Sequence, residues 1–376
     1  MIRMRNKEYK YLYRKMLEDN IIIEAYKKLR KGKTKRKSIR YIDAHFEEEV
    51  YKMKTMIYYT KKEFENTEYD MLSFHSTSIK PKFILEHGKQ RKIYMPEIHE
   101  QWLHHIIILI IEKIILNRSY QYSCGSFPGR GAHYGKKYLE KKIKNNPDLY
   151  CFKADIRHFY NNIRKKTLIN CLRYFIKDEW FIYVIERCLN NFKKGLPLGY
   201  YISQWFANYF LESFDFLALT YKPNVYIRYM DDIVVCNKDK SKLHVIKNKL
   251  AKYLCKYKKL KFKNNYQIFK ITNDKAVDFM GFKFYSNRTT LRKNIIINSI
   301  RLVKRLMKVK RYFLKHIRAL LSYMGWYKYS NTKTIFYNNI VKNINLNKLC
   351  HIISKYDKRR LYYYDRVDYG IQYRAA

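Results

Sequence analysis

Apolar positions fall at helical spacing over Asn6–Arg30 and again over Asp43–Phe64, with a charged breaker, KGKTKRKS, between them at 31–38. The pattern then shifts to alternation. FILEHGKQRKIYMP (83–96) predicts a hairpin, with His87-Gly88 near its turn and Pro96 ending its second strand. Gln101–Asn117 predicts an apolar core helix, and SCGSFPGRG (123–131) a Gly/Pro loop. Asp148–Asp155 reads as a short strand running into a helix over His158–Phe175. Helices over Glu179–Asn191 and Ser203–Leu219 flank a glycine-bearing loop at 195–199. A helix over Ser241–Lys258 and short strands at Gln267–Thr272 and Ala276–Tyr285 follow. From Ile295 onward the pattern is helical and strongly basic, and no internal repeat or long linker interrupts it.

The pattern is organised around Val225–Cys236, VYIRYMDDIVVC. Two runs of β-branched and aromatic residues flank Met230, Asp231 and Asp232, which predicts strand, tight turn, strand. Most hairpins carry Asn-Gly or Asp-Gly at the tip. This one carries adjacent carboxylates, whose mutual repulsion and burial call for a neutralising cation. Hard divalent ions with oxygen ligands, Mg²⁺ above all, meet that need. A solvated Asp-Asp turn is the alternative. FKADIRHFY (152–160) puts a further carboxylate, Asp155, at the end of an apolar strand. Beside the hairpin tip it would make three carboxylates, able to hold two divalent ions about 4 Å apart for in-line phosphoryl displacement. Asp155 as a plain helix cap is the alternative there.

The 376 residues allow two or three domains and a sizeable core. With 79 Lys and Arg against 32 Asp and Glu, the formal net charge is +47, which points to a polyanionic partner, nucleic acid first. Abundant Lys, Asn, Ile and Tyr also fit an AT-rich genome, but that bias would raise Glu as well, and acids are scarce. The seven cysteines are scattered and never paired as CxxC, which argues against zinc or a disulfide framework and for a reducing, cytoplasmic compartment. MIRMRNKEYK has no apolar stretch, so no signal peptide is expected. The longest greasy run, His105–Leu116, contains Glu112 and Lys113 and is too short for a bilayer, so no membrane role is expected.

YMDD (229–232), the FKADIRHFY segment and a short strand ending in MGF (280–282) resemble reverse transcriptases. The resemblance implies that Asp155, Asp231 and Asp232 are catalytic and, with Ile156, hold two Mg²⁺ ions. It implies that Tyr160 is the steric gate that clashes with a ribose 2′-OH; a packed aromatic is the alternative. GKQRKIYMP (88–96) is similar to the fingers segment of intron-type enzymes, which implies that Lys89 and Arg91 grip the incoming triphosphate. An exposed basic hairpin is the alternative. SCGSFPGRGAH (123–133) is similar to SYGFRPGRSAH, which implies a nucleotide contact by Arg130, with Phe127 replacing a first arginine. Tyr229 and Met230 are expected against nucleic acid. The match covers roughly residues 80–290.

LPLGYYISQ (196–204) departs from the common QGxxxSP pattern and is similar to the reverse transcriptases of diversity-generating retroelements, a group II intron-like branch. AYKKLRKGK (25–33), LKFKNNYQIFKI (260–271) and DFMGFKFYSNRTTLRK (278–293) share that likeness. Leu198, Gly199 and Gln204 are then expected at the dNTP. Leu198 cannot hydrogen-bond where the family has glutamine, which implies looser nucleotide selection. Gly199 would let backbone approach a nucleotide. Ser203 and Gln204 as a helix N-cap and its neighbour are the alternative. No role as general acid is assigned among Lys261, Lys263 and Lys270.

The expectation is an α+β right-hand polymerase: a basic helical N-terminal extension over 1–75, fingers and palm with a small antiparallel sheet over 76–290, and a helical thumb with a basic tail over 291–376. Arg301, Lys304, Arg305, Lys308, Lys310 and Arg311 fit a thumb that tracks duplex phosphates. The tail KRRLYYYDRVDYGIQYR (358–374) suits stacking on RNA bases, unless its tyrosines simply pack on the thumb. The implied function is RNA-directed DNA synthesis from a structured retroelement RNA, error-prone at template adenines, with cDNA, dNTPs and a small basic accessory variability protein oligomer as partners. A retron or antiphage-defence reverse transcriptase, or a non-catalytic RNA-binding protein on the same scaffold, are the alternatives.

Overall fold

A computed structural model describes residues 7–66, 71–76, 81–86, 89–190, 192, 194–309 and 313–356. Contacts divide the chain into two compact units, Met1–Gly135 with Tyr150–Phe269, and Lys136–Leu149 with Lys270–Ala376.

The first unit opens with helices α1 (Leu12–Met16), α2 (Asp19–Arg30), α3 (Lys37–Ala44) and α4 (Phe46–Asn66). A hairpin, β1 (Lys82–Glu86) and β2 (Lys89–Ile93), leads to α5 (Ile98–Arg118) and the two-residue strand β3 (Ser123–Cys124). Helix α6 (Ala132–Lys144) runs from this unit into the second. Then come β4 (Tyr150–Asp155), α7 (Phe159–Asn162), α8 (Lys165–Arg173), α9 (Glu179–Leu189), α10 (Tyr201–Phe210) and α11 (Glu212–Thr220). The central hairpin is β5 (Val225–Tyr229) and β6 (Asp232–Asn237); α12 (Lys240–Tyr253) continues as a wider turn over Leu254–Lys258, and β7 (Gln267–Lys270) follows.

The five-stranded sheet has the order β3-β5-β6-β4-β7. Its centre is antiparallel, β5 with β6 and β6 with β4, whereas β3 joins β5 in parallel. Strands β5 and β6 are buried along nearly their whole length, which is why their sequence is a continuous apolar run rather than an alternation. Helix α5 is apolar on every side, and Trp102, Leu103, Ile106, Ile107 and Ile111 are all fully buried, as such a helix requires. Trp102 donates its indole N–H to the Ile22 carbonyl at 2.9 Å, tying α5 to α2. No helix among the described residues is long and apolar enough to cross a membrane.

Several helices depart from the sequence expectation: the one expected over 6–30 is divided into α1 and α2, and the one over 203–219 into α10 and α11. The helix expected over 158–175 is broken into α7 and α8, with Ile163 and Arg164 extended between them. Asn162 bonds through its side chain to the Arg157 carbonyl at 2.9 Å, a local alternative to continuing the helix. Helix α3 begins inside the expected breaker and runs beyond it, because Ile39 and Ile42, three apart, are both fully buried.

In the second unit β8 (Val277–Phe279), β9 (Phe282–Phe284) and β10 (Thr289–Leu291) form an antiparallel sheet. Met280 and Gly281 join β8 to β9 with φ of +51° and +86°, the positive values a two-residue hairpin favours. Helices α13 (Lys293–Met307), α14 (Leu314–Lys328) and α15 (Lys333–Phe336) follow, with a further helix over 346–356. Helix α13 buries Ser299, Val303 and Leu306 and exposes Arg301, Lys304, Arg305 and Lys308. Lys310, Arg311 and the tail at 358–374 lie outside the described residues, as do His87 and Gly88.

Candidate active site

The hairpin of β5 and β6 turns on two residues, Met230 and Asp231. Met230 has φ +54°, the left-handed value that matches such a turn to the twist of its strands and that a side chain resists. Asp232 then opens β6, opposite Tyr229 on one side and opposite Asp155 on the other. The three carboxylates therefore reach one end of the sheet by register alone. The Ile156 amide donates to the Asp231 carbonyl at 3.1 Å and fixes the end of β4 against the turn. The Lys263 amide donates to the Asp155 carbonyl at 2.8 Å, so the segment before β7 lies along the other side.

Burial pushes the Asp231 carboxyl above the ordinary aspartate range, and the charge of Asp155 adds to this; Lys263 and Arg91 oppose it. Lys263 Nζ lies 3.4 Å from Asp155 Oδ2, and Lys153 Nζ lies 3.9 Å from Asp232 Oδ2. Among the described residues no three His, Cys, Asp or Glu side chains are gathered tightly enough to hold a metal ion. Asp155 and Asp232 each have a lysine nearby that offsets part of their charge. The donor chemistry still suits a hard dication, since the available ligands are carboxylate oxygens and crowding them needs positive charge.

Tyr160 stands close by. Burial raises its hydroxyl pKa, the Asp231 charge adds to that, and Arg91 opposes it. Arg91 on β2 thus reaches the field of both Tyr160 and Asp231. Lys89 opens β2, but its side chain lies outside what is described. The Tyr94 amide donates to the Leu198 carbonyl at 2.7 Å, so the loop of Leu198 and Gly199 is fastened to the end of the β1–β2 hairpin. Gly199 has φ +103°, and a Cβ there would overlap the Tyr94 carbonyl and sit 2.7 Å from Ile93 Cγ2. Its close approach in this structure is to the backbone of Tyr94.

The remaining residues divide. Leu198 is half-buried and Gln204 exposed. Ser203 is not an N-cap: α10 begins at Tyr201 with Tyr200 as its cap, and the Ser203 hydroxyl is buried without a hydrogen-bond partner. Arg130 donates to the carbonyls of Tyr120 at 3.2 Å and Leu116 at 3.1 Å, which braces the Gly/Pro loop. Tyr229 and Met230 are half-buried at the turn.

Sequence reasoning gave no role to Lys153 or Lys263, since two lysines among so many carry no signal of their own. It also passed over Arg228, although a charged residue inside the apolar run VYIRY is such a signal.

A profile of the reverse transcriptase (RNA-dependent DNA polymerase) family matches residues 80–284. Among solved structures, apo telomerase from Candida tropicalis is similar at 13% identity and TM-score 0.48, with 79% of this chain and 66% of that one covered. Telomerase from Candida albicans, in complex with a TWJ fragment of telomeric RNA, is similar at 13% identity and TM-score 0.46, with coverage of 74% and 57%. The chain spans less than two thirds of the length of either telomerase. The profile takes in β4, the YMDD turn and both strands that frame it, and it extends over more than half of the 376 residues. The mixed helix-and-sheet fold is accordingly that of a right-hand polymerase, and the chain belongs to the reverse transcriptase (RNA-dependent DNA polymerase) family.

Proposed function

We propose that this protein is an RNA-directed DNA polymerase that makes cDNA from a structured template RNA, and that it belongs to the diversity-generating branch, which misincorporates at template adenines. The observation that carries the polymerase reading is the register of Asp155 against Asp232 with Asp231 in the adjoining turn. Asp155, Asp231 and Asp232, with the backbone at Ile156, would hold two Mg²⁺ ions. Bound there, the ions lower the cost of charge on the attacking and leaving oxygens.

The chain's own residues do the rest. Arg91 and Lys89 on β2 hold the triphosphate, and the planar fork of Arg91 can take two phosphate oxygens at once. Tyr160 walls off the sugar edge and excludes a 2′-OH. Leu198 offers an apolar surface where a hydrogen-bonding group would discriminate, so a mismatched nucleotide leaves no buried polar group unpaired. Arg301, Arg305 and Lys308, exposed on α13, follow the phosphates of the template–primer duplex as the thumb, residues 291–376, beyond fingers and palm over 76–290. The partners are the template RNA, its cDNA, dNTPs and a small basic accessory oligomer, in the cytoplasm.

The test is primer extension on an RNA template followed by sequencing of the cDNA. Errors concentrated at template adenines support the branch. Faithful or untemplated product overturns it and leaves the family unaffected.

A further inference from the structure

We propose that the buried pair Arg228–Asp215 is a positioning device for the turn that carries Asp231 and Asp232, an inference that rests on the polymerase reading of that turn. Both side chains are fully buried. Arg228 projects from β5 and engages all five of its N–H donors. Nε donates to Asp215 Oδ1 at 2.7 Å and Nη2 to Asp215 Oδ2 at 2.6 Å. Nη1 donates to Asn208 Oδ1 at 2.7 Å and to the Met230 carbonyl at 2.8 Å, and Nη2 also to the Asn208 carbonyl at 3.1 Å. Asp215 accepts a further bond from the Tyr226 hydroxyl at 2.6 Å, and Asn208 Nδ2 donates to the Gly125 carbonyl at 2.8 Å.

Met230 explains why such a network sits here. It is a non-glycine residue at positive φ, and such strained conformations persist only where their surroundings over-determine them. Both of its backbone groups are clamped: the amide donates to the Cys124 carbonyl at 3.1 Å, and the carbonyl accepts from Arg228. The same guanidinium bonds Asn208 on α10, whose first turn follows the loop of Leu198 and Gly199. One cation thus ties the catalytic turn to the helix that follows the proposed nucleotide-facing loop. Stability is a poor reason for the pair. Replacing a buried ion pair by apolar groups of similar volume is often neutral or stabilising, whereas removing one partner is strongly destabilising. An apolar pair would fill the space but could not hold the Met230 carbonyl.

The experiment compares wild type with Asp215→Asn and with the double variant Arg228→Met/Asp215→Leu, which leaves no lone buried charge. Three quantities are read: the unfolding midpoint, amide hydrogen exchange over residues 229–232, and the Mg²⁺ concentration for half-maximal primer extension. The double variant is expected to fold with a lowered midpoint, because the Met230 and Asn208 carbonyls and the Tyr226 hydroxyl lose buried partners. Its exchange over 229–232 should rise at least about tenfold while β4 is unchanged, and its Mg²⁺ requirement should rise about 10–100-fold, the usual effect of losing a group that orients metal ligands. Asp215→Asn, which keeps the shape but leaves Arg228 a lone buried charge, should unfold below both, with a Mg²⁺ requirement between them. A folded double variant with wild-type exchange at the turn and a wild-type Mg²⁺ requirement overturns the proposal. So does a rise in exchange spread evenly over the whole sheet, which marks a structural role only. If wild type extends no primer, the polymerase reading fails, and exchange at the turn still decides whether the pair holds it.

Discussion

Asp155 and Asp232 face one another across the antiparallel register of β4 and β6. A slip of one residue would send one of them to the opposite face of the sheet, so the alignment of two carboxylates is written into strand pairing. Crowding them with Asp231 does not help folding, since burial and Asp155 together raise the Asp231 carboxyl. Asp231→Asn should therefore unfold at or above the wild-type temperature at neutral pH, as thermal unfolding followed by circular dichroism would record. A clear fall in midpoint would mean that the carboxylate stabilises the fold.

Gly199→Ala tests the junction between the β1–β2 hairpin and the loop before α10. Its Cβ would strike the Tyr94 carbonyl, and φ +103° suits only glycine. Strain of this kind is worth about 1–3 kcal/mol. The midpoint should drop by several degrees, and the Tyr94 amide, which donates to Leu198, should lose protection from hydrogen exchange.

Glu100 on α5 supplies a pH dependence. Burial pushes its carboxyl up from 4.5 to about 7, partly offset by the hydrogen bond from Ser76. The folded chain therefore holds this proton more tightly than the unfolded chain. The stabilisation is complete below the unfolded value and is lost as pH rises through the folded one. Glu100→Gln keeps a neutral side chain at every pH. Its stability relative to wild type should grow between about pH 5 and pH 8 by on the order of 2 kcal/mol. Denaturant titrations at the two pH values measure the difference.

Two substitutions test the nucleotide site. Tyr160→Val should lower discrimination against ribonucleotides, read as the ratio of kcat/KM for a dNTP and its rNTP, because it removes the wall proposed at the 2′ position. Leu198→Gln should restore a hydrogen-bonding group and reduce misincorporation. An unchanged error spectrum would remove Leu198 from the account of infidelity.

The parts of the fold that periodicity controls were legible beforehand. VYIRYMDDIVVC could only be a hairpin with its carboxylates at the tip, and the all-round apolar character of residues 101–117 could only be a buried helix. What tertiary contact decides was not legible. Helix α3 hides in a basic run because two isoleucines are enough to bury it. The break between α7 and α8 comes from a side chain of Asn162 that finds a local carbonyl. The lysines that face Asp155 and Asp232 come from β4 itself and from residue 263, and only folding brings the latter to the sheet end. Arg228 was visible as an anomaly, but its partners Asp215 and Asn208 lie on helices whose placement no local pattern encodes.

The central claim is tested most directly by primer extension on an RNA template, with dNTPs and Mg²⁺, by wild type and by Asp155→Asn, Asp231→Asn and Asp232→Asn proteins of matched folding. Wild type should extend the primer, and each variant should lose about 10³-fold or more in rate, since metal-borne charge stabilisation contributes several kcal/mol. Extension by any of the three at the wild-type rate would contradict the account.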